Sequence, residues 1–447
     1  MKKYNFKDSK VIKEIDLLKN LHSWSAQGNL DPIVVEKAKG IYFWDSNGKK
    51  YFDMSSQLVN VNIGHGNMKV IEAIQEQAKK MTYMGPGFAV DVKSELASKL
   101  LDIAPKNMKK VFFTIGGADA NENAIKMAKM FTGRDKIFSR YRSYHGATYG
   151  AANLTGEPRR FPAEPGIPGF IKFFDPYLYR SPVDFKDEEE ACNYYLEQLT
   201  EQIIYEGRDS VAAIFLETVT GSNGVIIPPE NYLKGVREIC DEFGILMVCD
   251  EIMAGFGRTG EWFACDNWGV APDLITFAKG ITSGYLPLGG VLVSQDIADF
   301  FNDTTLMCGL TYSGHPMGCA AGIATLDVYQ EEGLIKNSKL RGKVLGEELE
   351  LLKEKHPSVG DVRYIGLFSA IELVKDKVSK EPLVPYGQDP GKIMPLILSK
   401  LIKQGFFTYT HENIIIVAPP LIIKEEEIKE AMQIMDRVLS EVDKMLK

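Results

Sequence analysis

A chain of 447 residues exceeds what one ordinary hydrophobic core organises, so it predicts two domains, or one large α/β domain carrying a smaller one. With 45% apolar and 25% charged residues it has the balance of a globular protein, and a formal charge of -8 excludes the basic excess that a nucleic-acid backbone demands. No uninterrupted apolar run is long enough to span a bilayer, and the opening MKKYNFKDSKVIKEIDLLKN is basic without a long apolar core, so a cytoplasmic protein with no targeting segment and no membrane partner is expected.

In chain order, 41-IYFWDSNGKKYFDM-54 reads as a hairpin turning at Asn47-Gly48, expected to belong with a second, smaller domain. From about residue 108 to 330, short β-branched or aromatic runs alternate with helical patterns: 111-VFFT-114, 137-IFSRYR-142, 212-AAIFLE-217, 245-ILMVC-249, 274-LITFA-278 and 289-GGVLV-293. This alternation predicts an α/β fold with a mostly parallel sheet. The runs are nearly continuous in apolar residues, as strands covered on both faces require, and ligands of such sheets gather at the strand ends. Beyond Glu331 come a polar-faced helix over 337 to 355, strands near 362-VRYIGLFSAIELV-374, a helix near 391 to 403, strands 405-GFFTY-409 and 413-NIIIV-417, and a final charged helix, together a smaller α+β unit. The expected division is 1-60 as a segment joining the small domain, 61-330 as the large domain and 331-447 as the small one, with hinges near 55 to 65 and 330.

Three constellations carry chemistry. The stretch 245-ILMVCDEIMAGFGRTG-260 delivers Asp250 and Glu251 to a strand terminus, where the plainest reading is an acidic pair held by Arg258 or a helix cap. Lys279 also ends an apolar strand, 273-DLITFAKG-280, and an amine there has a depressed pKa and attacks aldehydes. In 111-VFFTIGGADANENAIKMAK-129 a strand runs through glycines into a helix, whose first backbone amides suit a dianion. A phosphate cup, a buried acid and a buried lysine are together what pyridoxal 5'-phosphate requires. The six cysteines contain no C-x-x-C pair, so reduced thiols are expected, and the six histidines form no metal-ligand pattern.

From about Ser23 to the C-terminal helix the chain resembles the class III pyridoxal-phosphate aminotransferases of fold type I. The likeness rests on 41-IYFWDSNGKKYFD-53, 63-IGHG-66, 144-YHGAT-148, 212-AAIFLETVTGSNGVIIPP-229, 249-CDEIMAGFGRTG-260, 273-DLITFAKG-280, 311-TYSGHP-316 and 418-APPLII-423, in that order. The resemblance implies a seven-stranded-type sheet and pyridoxal 5'-phosphate bound to Lys279 as a Schiff base. It further implies Asp250 at the pyridine nitrogen, Tyr144 and Ile252 on the two ring faces, backbone amides of Gly117 and Ala118 at the phosphate, and Glu217 near the crevice. Thr311 would bind the phosphate of a neighbouring subunit, which makes the functional unit a homodimer with shared active sites. His145 is expected to support Tyr144 or a turn. A non-catalytic protein that has kept this fold, binding or regulatory, is the rival from another class, and retention of both Asp250 and Lys279 speaks against it.

Two departures point to the substrate. The family's usual Ser-Gly-Ser loop is 116-GGA-118 here, and where glutamate-handling branches commonly read G-E-G-G this chain reads 221-GSNG-224, with no arginine in 413-NIIIVAPP-420. Loss of that glutamate-arginine switch favours the ω-amino acid branch. Arg142, Arg159, Arg160 and Arg363 are the candidates to hold a substrate's acid group, with Arg160 favoured, and Trp24 would supply an aromatic wall. Within the family the whole-motif likeness is nearest to taurine-type enzymes and next to β-alanine-type ones. It implies a two-stage transfer from an ω-amino acid, taurine by preference, to a 2-oxo acid, 2-oxoglutarate ahead of pyruvate.

Overall fold

The computed structural model describes residues 5–389 and 391–446. Its largest sheet has seven strands, numbered here in chain order: β1 Met108–Thr114, β2 Lys136–Arg140, β3 Phe170–Phe173, β4 Val211–Glu217, β5 Leu246–Asp250, β6 Leu274–Phe277 and β7 Gly289–Ser294. Their spatial order is β1-β7-β6-β5-β4-β2-β3. From β3 through β6 every pairing is parallel, and β7 runs antiparallel to both β6 and β1.

The central strands are buried on both faces because their sequences are apolar except for Glu217, Asp250 and Thr276 near their carboxyl ends. In β4, Phe215 packs with Val248, Leu274 and Val291 beneath the helix Gly117–Thr132, while Ile214 and Leu216 join Met247, Cys249 and Ile275 on the opposite face. Each such side chain contributes roughly 1.5–3 kcal/mol on burial, so the strand ends are mounted on a rigid platform. Helix Tyr232–Phe243 makes the crossover between the parallel neighbours β4 and β5, while Gly117–Thr132 carries the chain from β1 to β2 and Glu188–Glu206 carries it from β3 to β4. At Gly290 of β7 a Cβ would lie 2.5 Å from the Phe277 ring and 2.8 Å from the Phe112 carbonyl. Only glycine lets β7 fit between its neighbours there.

Two smaller sheets complete the fold. Strands Val35–Lys39, Tyr42–Asp45 and Lys50–Asp53 form a meander whose tight turn has Gly48 at φ +80, with the amides of Asn47 and Lys49 each 2.9 Å from Asp45 Oδ1. Phe406–Phe407 adds to that meander in parallel, through Phe52 and Asp53. The other sheet holds Val359–Ile365, Phe368–Asp376, Ile414–Val417 and Thr410–His411, with Glu381–Pro382 beside the second of these. Among the described residues no helix is long and apolar enough to cross a membrane.

The buried Arg258 ties these parts together. Its guanidinium donates to the carbonyls of Leu367 (2.9 Å) and Pro419 (2.6 Å), to Ser56 Oγ (3.1 Å) and to Asn62 Oδ1 (2.8 Å). It is therefore a tie between chain segments, and the expectation that it pairs with Asp250 and Glu251 is corrected. Glu251 instead accepts from Thr218 Oγ1 (2.6 Å) and from the amides of Ala264 (2.8 Å) and Cys265 (2.9 Å). Burial lifts its pKa to about 7 against those donors.

Candidate active site

The parallel register sets Glu217, Asp250 and Thr276 side by side at the carboxyl ends of β4, β5 and β6. Lys279 follows just beyond β6 and opens a short 3-10 turn with φ +48, a left-handed conformation that costs a residue other than glycine roughly 1–2 kcal/mol. Such strain is retained where the surrounding structure dictates it, often at functional sites. The Lys279 ammonium loses hydration in the crevice, and that burial lowers its pKa to about 8. The carboxylates of Asp250 and Glu217 pull it back up, and Arg159 adds to the depression.

Asp250 is held from three directions. Its Oδ2 lies 2.7 Å from His145 Nδ1 and accepts from Asn121 Nδ2 at 2.9 Å, and its Oδ1 accepts from the Ile252 amide at 3.0 Å. Asn121 also accepts from Thr276 Oγ1 at 2.8 Å and donates to the His145 carbonyl at 2.7 Å, locking three chain segments together. His145, expected to brace Tyr144 or a turn, thus meets Asp250, and its buried Nε2 has no hydrogen-bond partner among the described residues. Glu217 accepts from the amides of Tyr144 (3.0 Å) and Gly221 (2.7 Å), and burial raises its pKa, with His145 opposing and Asp250 assisting.

Around the mouth, the Arg159 guanidinium carbon lies 3.8 Å from the Tyr144 ring centre and 5.6 Å from that of Trp24, whose own ring meets Tyr144 edge-on at 6.5 Å. Arg159 Nη2 donates to Ser222 Oγ at 2.8 Å, and Nε contacts Glu157. Arg160 is turned elsewhere: it binds Glu164 Oε1 at 2.9 Å and the Gly156 carbonyl, and it packs on Phe161. Together with Arg142 and Lys172 it lines a separate cavity of about 1110 Å³ that includes neither Lys279 nor Asp250. Arg363 is occupied by Asp361 (2.7 Å) and Glu372 (2.8 Å), and Arg142 lies over the Tyr177 and Tyr386 rings. Of the four arginines, Arg159 is the one stacked on Tyr144. Thr311 is exposed, and its carbonyl accepts from Tyr83 Oη at 2.8 Å.

Asn121, Thr276 and Glu157 belong to this constellation and were missed from sequence. The signal for Asn121 was available, since it and Asn123 are the two polar residues among the buried positions of their helix.

The family model for class III aminotransferases matches residues 24–439. The chain belongs to the class III aminotransferases. It is therefore a transaminase dependent on pyridoxal 5'-phosphate. A solved structure of taurine:2-oxoglutarate aminotransferase from Bifidobacterium kashiwanohense, in complex with PLP and glutamate, is 48% identical, with both chains covered completely and a TM-score of 0.96. A probable aminotransferase of Mycobacterium tuberculosis is 38% identical over 92% of this chain and 90% of its own. Taurine–pyruvate aminotransferase of Bilophila wadsworthia is 32% identical over 94% and 95%.

The residues of this class III aminotransferase fit the cofactor. A depressed amine lies within reach of the charge of a carboxylate that has three donors, and the uncapped start of the Gly117–Thr132 helix lies against Ile252, two residues from that carboxylate. A Cβ at Gly117 would come within 2.6 Å of Ile252 Cδ1, so the glycine is what allows Ile252 to lie against the turn. Gly117→Val is accordingly expected to raise the Kd for pyridoxal phosphate at least about tenfold by driving Ile252 and the turn apart. Titration of the apoenzyme, followed by visible absorbance, measures this; an unchanged Kd would mean the turn does not contact the cofactor.

Proposed function

We propose that this class III aminotransferase moves the terminal amine of an ω-amino acid, taurine by preference, to 2-oxoglutarate in a ping-pong cycle. The observation that carries the reading is Arg159: a guanidinium 3.8 Å over the Tyr144 ring, hydrogen-bonded to the neutral Ser222, beside the crevice of Lys279. A planar fork of donors there suits a sulfonate or carboxylate carried at the far end of an amine. Likeness to the taurine-handling neighbour supports the same choice.

Pyridoxal phosphate, when bound, supplies an electron sink that makes the hydrogen beside the substrate nitrogen removable. The Lys279 amine, whose pKa burial lowers to about 8, would hold the cofactor and, once free, would accept the proton of the substrate carbon. Asp250, fixed by Asn121 and His145, would hold a proton on the pyridine nitrogen of the bound cofactor. Glu217 positions the Tyr144 and Gly221 amides, while Tyr144 and Ile252 would hold the cofactor ring and the amides of Gly117 and Ala118 would take its phosphate. Thr311 completes the phosphate site of a second copy, so the active unit is a homodimer. The exposed Phe88, Met307 and Tyr312 around the Thr311 segment support such a contact. Six free cysteines, five of them buried, support a reducing cytoplasmic setting.

A panel of taurine, β-alanine and propylamine against 2-oxoglutarate and pyruvate tests the proposal. The highest kcat/KM is expected for taurine with 2-oxoglutarate. A preference for propylamine, equal use of pyruvate, or carbon dioxide release without any acceptor would each overturn it.

A further inference from the structure

Glu157 has no part in the roles described so far. It is 1% exposed, and its carboxylate contacts Arg159 Nε. Among the described residues it is the only carboxylate within ion-pair distance of Arg159. The other polar contact of that guanidinium is a neutral hydroxyl, Ser222 Oγ at 2.8 Å, and the rings of Tyr144 and Trp24 lie on it. One cation that neighbours the substrate crevice is therefore balanced by one buried anion set behind it. Burial raises the Glu157 pKa and Glu412 adds to the rise, while Arg159 opposes both. The arginine and the carboxylate stabilise each other in the absence of a substrate.

We infer that Glu157 is a positioning residue and counter-ion that sets how tightly Arg159 holds the acid group of a substrate. The inference rests on the functional reading above, because it assumes that Arg159 is the acid-binding group. A ping-pong enzyme must release an acid-bearing product and admit a second acid at the same place. An unbalanced guanidinium would retain both. With Glu157 on Nε, part of the field is offset while the N–H groups not bonded to Glu157 or Ser222 stay available.

The test uses Glu157→Gln in the cofactor-loaded enzyme, which keeps an acceptor for Nε and removes the charge. Calorimetric Kd values for ethanesulfonate and propionate, acids without an amine, are expected to fall about tenfold. The KM for taurine should fall in parallel, with a lower kcat as product leaves more slowly, and the KM for propylamine should move less than twofold. Ser222→Glu adds a second carboxylate and is expected to weaken ethanesulfonate about tenfold, an opposite sign that remains readable if the first variant does not fold. Unchanged or weaker ethanesulfonate binding in Glu157→Gln, or stronger binding in Ser222→Glu, overturns the inference. Wild-type enzyme that turns over another ω-amino acid in place of taurine defeats the functional reading alone. Failure of the wild type to bind either acid overturns both.

Discussion

Replacing Lys279 with alanine is expected to lower kcat by at least about 10⁴-fold, since the proposed mechanism gives one side chain both the hold on the cofactor and the movement of the proton. The fold should survive. The deletion removes an amine that burial has already made costly to ionise, and Asn121 keeps its bonds to Asp250, His145 and Thr276. A melting temperature close to wild type, together with a loss of the visible band of lysine-linked pyridoxal phosphate, would separate chemistry from stability. Retention of more than a few percent of kcat would remove Lys279 from the mechanism. The depressed pKa adds a pH signature. Only the neutral amine attacks an aldehyde, so the rate at which apoenzyme captures pyridoxal phosphate should rise as pH passes upward through about 8 and level off above it, where an ordinary lysine would still be gaining.

Asp250 gives the second large effect, with two separable components. Asp250→Ala leaves His145 Nδ1, Asn121 Nδ2 and the Ile252 amide without their acceptor, and a buried donor left unpaired costs about 1–3 kcal/mol. A melting temperature lower by several degrees is therefore expected alongside a fall in kcat/KM of about 10³-fold, since the proton on the pyridine nitrogen is no longer held. Asp250→Asn retains the size of the side chain and one oxygen acceptor. It should recover much of the stability and little of the rate. If Asp250→Asn were as active as the wild type, the carboxylate charge would have no catalytic role.

These residues differ in how far the sequence exposes them. Asp250 and Lys279 are conspicuous because each ends an apolar strand on a group that resists burial, and the sheet brings the two strand ends together as parallel neighbours. The seven-stranded sheet is legible in β4, β5 and β6 because each is an apolar run broken only by Glu217, Asp250 or Thr276. The edge strand Phe170–Phe173 is hidden: it is short, half-buried and interrupted by Lys172, which bonds Ser139 Oγ and the carbonyls of Asn153 and Leu154. Arg159 and Arg160 are adjacent in the turn Pro158–Ala163, so their side chains leave the backbone in different directions. Composition does not say which faces the crevice, and the fold stacks Arg159 on Tyr144 while Arg160 goes to Glu164. Glu157 acquires its meaning only from a partner across a turn, which no local pattern encodes, whereas Asn121 is visible as a polar residue at a buried helix position and only its partners are hidden.

The claim on which all this depends is that Lys279 is the lysine that carries the cofactor. Borohydride reduction of the holoenzyme, digestion and mass spectrometry of the peptides test it most directly. Lys172 is the natural internal rival, since burial, with Arg160 assisting, brings its pKa to about 7. The account predicts the reduced pyridoxyl group on Lys279 alone; finding it on Lys172, or spread over several surface lysines with Lys279 unmodified, would contradict it.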